Sequence, residues 1–134
     1  MDDAERLKRG EAARRRVLGD EAMYQSKKRR NAFNADWIDW ITRSPWHDVW
    51  TRPHFDDRTR RVLVIGTMIS LGRWEEFRLH LEAGLGADLE WSDVEEVLLQ
   101  TGVYAGLPAA NTAFAIASEL RGGVQGKRPT SGSA

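Results

Sequence analysis

A dense apolar segment over residues 57–71 constrains the fold of this chain more than any other feature of its sequence. Its apolar residues recur at spacings of three and four, which is the repeat of a helix that presents one face to a core. The pattern is so dense that this helix must be central to the core. Asp56 or Asp57 can cap its first turn, and Gly72 ends or bends it.

The rest of the sequence also has helical spacing, with breaks at glycine and proline. Further helices are predicted over residues 4–18, from 20 onwards, and over 34–41, 75–83, 94–104 and about 109–120. No stretch shows the period-two alternation of a strand. The length of 134 residues suffices for one buried core. The sequence therefore predicts an all-α fold, with a single helical domain over residues 1–122 and a polar, disordered tail over 123–134.

Several helix ends are predicted from residue chemistry. Gly19 closes the first helix, because glycine accepts the backbone conformation that ends a helix. Asp20 is then placed to cap the second helix. Ser92 and Glu95 have the Ser-x-x-Glu spacing of a capping box, which would open the helix near residue 94.

The tryptophan-rich region contains four of the six tryptophans between Trp37 and Trp50. Trp37 and Trp40 are predicted to be buried packing residues, since an indole usually fills core space and satisfies one polar atom. Pro45 and Pro53 predict a turn-rich loop between them.

The net charge of the chain is zero and by itself excludes few classes of binding partner. Twenty basic residues balance twenty acidic ones, but ten bases and six acids fall within the first 30 residues. A segment this basic suggests nucleic acid as a binding partner. The interspersed acids and the lack of interleaved aromatic residues favour a solvated helix face, or one docked on an acidic neighbouring subunit. We therefore predict no nucleic-acid partner.

The chain also lacks the features of membrane and disulfide-bonded proteins. No apolar run reaches membrane-spanning length, and charged residues occupy the start of the chain where a signal peptide requires an apolar segment. A soluble, cytoplasmic protein with no membrane partner is therefore predicted. Cysteine is absent, which excludes a disulfide scaffold, a thiolate metal site and a thiol nucleophile.

Arg73, Glu76 and His80 form the most chemically suggestive group. Their spacing of three and four places them along one face of a predicted helix, where a cation, a carboxylate and an imidazole can line one pocket. His80 could exchange a proton near neutral pH, and Glu76 could hold its tautomer or share the proton. The alternative is a solvated helix face with an incidental histidine.

The three histidines of the chain offer a second interpretation. His47 and His54 on a loop and His80 on a helix could together hold a metal ion. Their spacing is not diagnostic, and the prediction is that the protein has no metal site.

Two blocks of sequence carry a resemblance that changes these alternatives. The first combines WTRPHFDDRTRR, which begins at Trp50, with SLGRWEEFRLH, which ends at His80. The second is EEVLLQTGVYAGLPAANTAF over residues 95–114. In order and spacing they resemble the γ-carboxymuconolactone decarboxylase family, and the resemblance covers roughly residues 12–120.

Alkylhydroperoxidase D-type proteins of the same superfamily need a Cys-x-x-Cys pair. This chain has Arg73 and Glu76 at those positions, so thiol redox chemistry is excluded.

The resemblance implies a fold and a reaction. It implies a helical bundle of the carboxymuconolactone decarboxylase and alkylhydroperoxidase D type, assembled as a homo-oligomer, either a hexamer or a trimer. The implied activity is decarboxylation of a small anionic lactone, γ-carboxymuconolactone, to the β-ketoadipate enol-lactone in the protocatechuate branch of aromatic catabolism. No cofactor is implied, because the conjugated lactone carbonyl accepts the electrons that the leaving group releases.

The resemblance also implies roles for the catalytic residues. Arg73 and Arg52 would hold a carboxylate, since a guanidinium binds carboxylate through two hydrogen bonds. His80 with Glu76 would deliver a proton to the α carbon. Trp50 would form an indole wall beside the guanidinium of Arg52.

Weaker candidates complete the predicted substrate site. Tyr104 and Asn111 are possible donors to the lactone oxygen, with a core position for Tyr104 and a helix cap at Asn111 as the alternatives. His47 and Asp48 occupy positions where the family usually has Gly-Glu.

Two further positions depart from the family pattern. His54 occupies a usual glycine position, and Trp74 replaces a common acidic residue. These departures leave two other functions open. One is the same fold acting on a different lactone or keto acid in a biosynthetic pathway, and the other is a non-catalytic oligomeric binding module.

Overall fold

The computed structural model describes residues 1–124, and within that range the chain forms helices and short connections with no strand. This confirms the all-α prediction. In chain order the elements are α1 (Asp3–Leu18), α2 (Asp20–Arg29), α3 (Ala35–Ile41), a π-helix (Thr42–Val49), α4 (Asp57–Leu71), α5 (Trp74–Leu85), α6 (Trp91–Ala105) and α7 (Leu107–Val124). None of the helices in this range has both the length and the apolar character needed to traverse a bilayer.

The chain divides into two compact units at a point within α4. The amino-terminal unit comprises Met1–Arg60, and the carboxy-terminal unit begins at Arg61. The predicted tail over 123–134 lies outside the described residues, apart from its first two positions, which complete α7.

In the amino-terminal unit, α1 packs against the π-helix at a point where no side chain fits. A Cβ atom on Gly10 would lie 1.9 Å from the carbonyl oxygen of Thr42. The two backbones can approach this closely only because residue 10 is glycine. α1 begins with an Asp2 cap, whose carboxylate accepts the backbone N–H of Glu5 at 2.9 Å, and it ends at Gly19 as predicted.

The predicted loop around Pro45 is wrong, because the chain continues from α3 into a π-helix. Proline has no N–H to donate, so the α-helical hydrogen-bond pattern cannot pass through Pro45 unchanged. The wider turn keeps other backbone groups satisfied: the Trp50 N–H donates to the Pro45 carbonyl five residues earlier at 3.0 Å. His47 and Asp48 are therefore on a helix and not on a loop.

The ends of α4 follow the prediction. Asp56 caps its first turn, since its carboxylate accepts the Thr59 N–H at 2.8 Å. At the other end Gly72 adopts φ = 69°, a left-handed conformation that favours glycine. The Gly72 N–H then donates to Ile69 and the Arg73 N–H donates to Met68, which is the hydrogen-bond pattern of a Schellman motif.

The core of the carboxy-terminal unit is an apolar cluster from α4 to α7. Its buried members are Ile65, Ile69, Phe77, Leu81, Leu89, Val94, Leu98, Ala113 and Ala117. The prediction that α4 is central to the core is confirmed for the face carrying Ile65 and Ile69. Leu63 and Leu71 on the same helix are exposed, so the dense apolar pattern extends beyond the buried face.

Two predicted caps are wrong. The cap of α2 is Gly19, and Asp20 is already its first helical residue. The capping box of α6 uses Glu90 and Asp93, whose carboxylate accepts the Glu90 N–H at 2.8 Å. Since Glu90 has the extended backbone conformation of a cap, the helix starts before Ser92.

The burial predicted for two tryptophans is also wrong. Trp37 is 61% exposed and Trp40 is 50% exposed. Their rings stack on each other with centroids 5.5 Å apart. Each indole therefore packs against the other indole and is not buried in the core.

The close approach at Gly10 predicts a large effect of a single methyl group. Gly10→Ala should lower the free energy of unfolding by about 1–3 kcal/mol, because the backbones must separate to admit the new atom. Gly123→Ala is the control, since no atom lies within 4 Å of its Cβ position; it should leave stability unchanged or raise it by up to about 1 kcal/mol. Thermal and denaturant unfolding followed by circular dichroism measure both. Equal stability of the two variants would contradict the close contact.

Candidate functional site

His80 lies on α5 in the carboxy-terminal unit, and its side chain is only 8% exposed. Burial lowers its pKa to about 4, and the positive charge of Arg61 adds to the shift. Both effects disfavour the imidazolium form. The expectation that His80 exchanges a proton near neutral pH is therefore corrected for the ligand-free protein, in which the imidazole is neutral at pH 7.

Arg61 supplies that charge from a position with no exposed surface. Its Nε donates to Asp88 Oδ1 at 2.7 Å, and its Nη1 donates to the His80 carbonyl at 3.4 Å. Gly84 leaves room for the chain of Arg61, because a Cβ there would lie 2.5 Å from Arg61 Cδ. The guanidinium is thus bound to α5 and to the segment that follows it.

Sequence reasoning missed the role of Arg61 and Asp88. One signal was present: Arg61 lies four and eight residues before Ile65 and Ile69, on the buried face of α4. A charged residue on such a face requires a buried partner. Asp88 is 27 residues away in sequence, and no local pattern identifies it as that partner.

Of the three residues predicted to share a helix face, Arg73, Glu76 and His80, only Glu76 and His80 lie on the helix. Arg73 precedes α5 as its cap residue, with φ = −92° and ψ = 78°, because the turn at Gly72 interrupts the helical path. Glu76 and His80 do share a face one turn apart. Arg73 and Glu76 are exposed whereas His80 is buried, so the three groups differ in their access to water.

In the amino-terminal unit, Trp50 ends the π-helix and is buried. It stacks on Trp46 with ring centroids 5.3 Å apart. Arg52 follows in an exposed position, and its backbone carbonyl accepts a hydrogen bond from Arg60 Nη2 at 3.1 Å. A fixed indole and an exposed guanidinium are therefore two residues apart.

His47 and Asp48 form a hydrogen-bonded pair on the π-helix. Asp48 Oδ1 lies 2.8 Å from His47 Nδ1, and Arg6 on α1 binds the same carboxylate through Nε at 3.3 Å and through Nη2. Arg6 and then His47 lower the pKa of Asp48. His54 is exposed, with its ring edge-on to Phe55.

Tyr104 and Asn111 lie on the α6–α7 hairpin. Tyr104 is 85% exposed, which excludes the core position considered for it. Asn111 lies inside α7, which begins at Leu107, so it is not a helix cap. Both side chains are exposed.

The metal-site alternative requires three suitable side chains close together. Among residues 1–124 no group of three histidine, aspartate or glutamate side chains could hold a metal ion.

Comparison with known proteins identifies relatives over most of the chain. A sequence model of the carboxymuconolactone decarboxylase family matches residues 35–119. The 4-carboxymuconolactone decarboxylase of Acinetobacter baylyi is 37% identical over 120 residues, which cover 90% of each protein. The nitrosuccinic acid decarboxylase of Metarhizium robertsii is 28% identical over 107 residues, or 80% of this chain and 75% of that protein. Every predicted site residue falls within the region that the family model matches.

The burial of His80 predicts a specific pH dependence of stability. The unfolded chain takes up this proton near the ordinary pKa of 6.5, and the folded chain only near 4. The contribution of His80 to the free energy of unfolding is therefore fully present above about pH 6.5. It falls by roughly 3 kcal/mol as the pH drops to 4, because the unfolded state binds more protons in that window.

Urea unfolding at several pH values, with NMR of the imidazole, measures this effect. His80→Gln is the matched variant, since it keeps a polar side chain but does not titrate. The wild-type protein should lose roughly 3 kcal/mol more than this variant between pH 6.5 and 4. If the free energies of unfolding of the two proteins changed equally with pH, the pKa of His80 would not be lowered in the folded protein.

Proposed function

The chain belongs to the carboxymuconolactone decarboxylase family and is an enzyme of the carboxy-lyase class, and we propose that its substrate is γ-carboxymuconolactone. The observation that carries this proposal is the 37% identity, over 90% of both chains, to a protein named 4-carboxymuconolactone decarboxylase. The product would be the β-ketoadipate enol-lactone, in the protocatechuate branch of aromatic catabolism. No cofactor is needed for this reaction.

The chemistry explains why protein groups alone suffice. The bond between the γ carbon and its carboxylate breaks, carbon dioxide leaves, and the electron pair passes through the ring double bond to the lactone carbonyl. The resulting dienolate then takes a proton at the α carbon. An enzyme must bind the remaining carboxylate, stabilise the enolate oxygen and supply that proton.

Arg52 and Arg73 are the proposed carboxylate-binding residues. Both are exposed, so a substrate anion can reach them. Trp50 is held by its stack on Trp46 and offers a flat surface to an unsaturated ring. Tyr104 and Asn111 are the proposed donors to the lactone oxygen, and Asp48 orients the His47 ring.

His80 and Glu76 are the proposed proton-transfer residues. Because His80 is neutral in the free protein at pH 7, it must acquire the proton that it delivers. Two substrate carboxylates next to the imidazole raise its pKa, since opposite charges favour the charged form. We therefore propose that His80 takes up a proton when substrate binds and passes it to the α carbon after carbon dioxide leaves. Glu76, one turn earlier and exposed, connects His80 to solvent protons.

We also propose that the enzyme acts in the cytoplasm as a homo-oligomer, either a trimer or a hexamer. Three apolar side chains near the α6–α7 connection, Leu99, Val103 and Leu107, are more than half exposed. Exposed apolar groups this close together are typical of surfaces that another subunit covers.

A second candidate substrate is a different small carboxylic acid of a biosynthetic pathway. The relative from Metarhizium robertsii is named for nitrosuccinic acid, so this chain is also similar to a protein named for an acid that is not a lactone. His47 and His54 stand where the family usually has glycine, and their bulk changes which acids fit. The third alternative, a non-catalytic binding module, is set aside because both relatives are named as decarboxylases.

A direct assay separates these candidates. We predict that protein dialysed against a chelator releases carbon dioxide from γ-carboxymuconolactone, with loss of the conjugated ultraviolet absorbance. Nitrosuccinic acid assayed in parallel should react at least tenfold more slowly. Faster turnover of nitrosuccinic acid would favour the second candidate, and activity that returns only with one added metal would contradict the cofactor-free mechanism.

Variants of the same protein test the proposed roles. His80→Ala should lower kcat by about 100- to 10,000-fold, the usual effect of losing a positioned acid-base group. Arg52→Ala should act mainly on KM, since it holds a carboxylate that is present throughout the reaction. Lys8→Ala, at an exposed position on α1, is the control. A near-normal kcat for His80→Ala would overturn the assignment.

A further inference from the structure

A groove in the amino-terminal unit is lined entirely by residues for which the proposed function has no role. Its volume is about 380 Å³, within the usual range of about 300–1,000 Å³ for small-molecule sites. The lining residues are Leu7, Glu11, Arg14, Met23, Ser26, Lys27, Arg30, Ile38, Asp39 and Thr42. They come from α1, α2, α3, the Arg30 cap that follows α2, and the first residue of the π-helix.

The acidic residues of this groove are already paired with cations. Lys27 Nζ lies 3.3 Å from Glu11 Oε1. Arg30 binds Asp39 through two hydrogen bonds, of 2.9 and 3.2 Å. Each carboxylate is therefore paired with a cation other than Arg14, although the charge of Glu11 still acts on Arg14.

Arg14 is the cation that remains. Its Nε is buried and has no hydrogen-bond acceptor within the described chain. Burial, and then the neighbouring charge of Arg29, lower its pKa, and the charge of Glu11 offsets part of that shift. A partly buried guanidinium whose Nε–H has no hydrogen-bond acceptor is unfavourable, and an anionic ligand that accepts this hydrogen bond removes that penalty.

The other residues that line the groove indicate the chemistry of the uncharged part of the ligand. Leu7, Met23 and Ile38 present aliphatic surface, and Met23 is buried. The Thr42 hydroxyl is committed to the Ile38 carbonyl at 2.6 Å, and Ser26 also lines the groove. A ligand here needs an apolar body and one polar head.

We propose that this groove binds a small organic monocarboxylate, with its carboxylate on the Arg14 guanidinium and its apolar body against Leu7, Met23 and Ile38. The ligand is a monoanion because Arg14 alone lacks a partner, and a second negative charge would face Glu11 and Asp39. This site does not depend on the proposed catalytic function. A γ-carboxymuconolactone dianion is a poor match for it for the same reason.

Calorimetric titration of the full-length protein with benzoate tests the proposal. Benzoate should bind saturably, while its neutral counterpart benzamide and inorganic phosphate should bind at least tenfold more weakly. Arg14→Met keeps the apolar stem but removes the charge, and it should weaken benzoate binding by about 10- to 100-fold, the effect of losing hydrogen bonds to a charged group. Arg9→Met on the same helix is the control, because Arg9 pairs with Glu5 outside the groove and should leave binding unchanged.

NMR locates the site independently of these variants. In the wild-type protein, benzoate should shift the Arg14 Nε–H and the Met23 methyl signals, and this result does not require the variant to fold. Equal binding of benzoate and benzamide, shifts confined to residues outside the groove, or unweakened binding by folded Arg14→Met would each overturn the proposal.

Discussion

A buried guanidinium on α4 organises the carboxy-terminal unit. Arg61 has no exposed surface, and an isolated charge in such a place is strongly unfavourable, so its partners must be fixed in the folded protein. They are the Asp88 carboxylate and the His80 carbonyl, and Gly84 provides the space for the side chain. Removing either member of such a pair typically costs about 3–5 kcal/mol. This side chain therefore ties α4 to α5 and the segment after it, in addition to the apolar contacts between the two helices.

The same guanidinium also contributes to the chemical state of His80, after burial, which is the larger cause. Burial lowers the pKa of the imidazole, and the charge of Arg61 lowers it further. A histidine in this environment is a neutral group that becomes an acid only when negative charge arrives. The substrate proposed for the enzyme carries two carboxylates, so its binding and the protonation of His80 favour each other. In the proposed mechanism His80 takes up this proton when substrate binds and gives it to the dienolate.

Sequence reasoning succeeded where short-range chemistry decides the structure. The glycine at position 72 ends α4 because its own backbone allows it, and the Asp56 cap acts three residues away. It failed where distant groups decide. Pro45 indicates a break, but packing against α1 keeps the segment helical, and the exposure of Trp37 depends on what the rest of the chain covers. For the candidate site, Glu76 and His80 could be placed on one face from spacing alone. The shifted pKa could not be predicted, because the ion pair that contributes to it joins residues 27 positions apart.

The most direct test of this account is proton uptake on ligand binding. The saturated analogue of γ-carboxymuconolactone keeps both carboxylates but has no ring double bond to accept electrons, so it binds without reacting. Its calorimetric titration at pH 7, in two buffers of different ionisation enthalpy, gives the number of protons taken up. Since neighbouring carboxylates raise a pKa of about 4 by roughly one to three units, the wild-type protein should take up a fraction of a proton per site that grows as the pH is lowered, and His80→Gln almost none. Binding of the analogue without proton uptake, or equal uptake by the variant, would contradict this account.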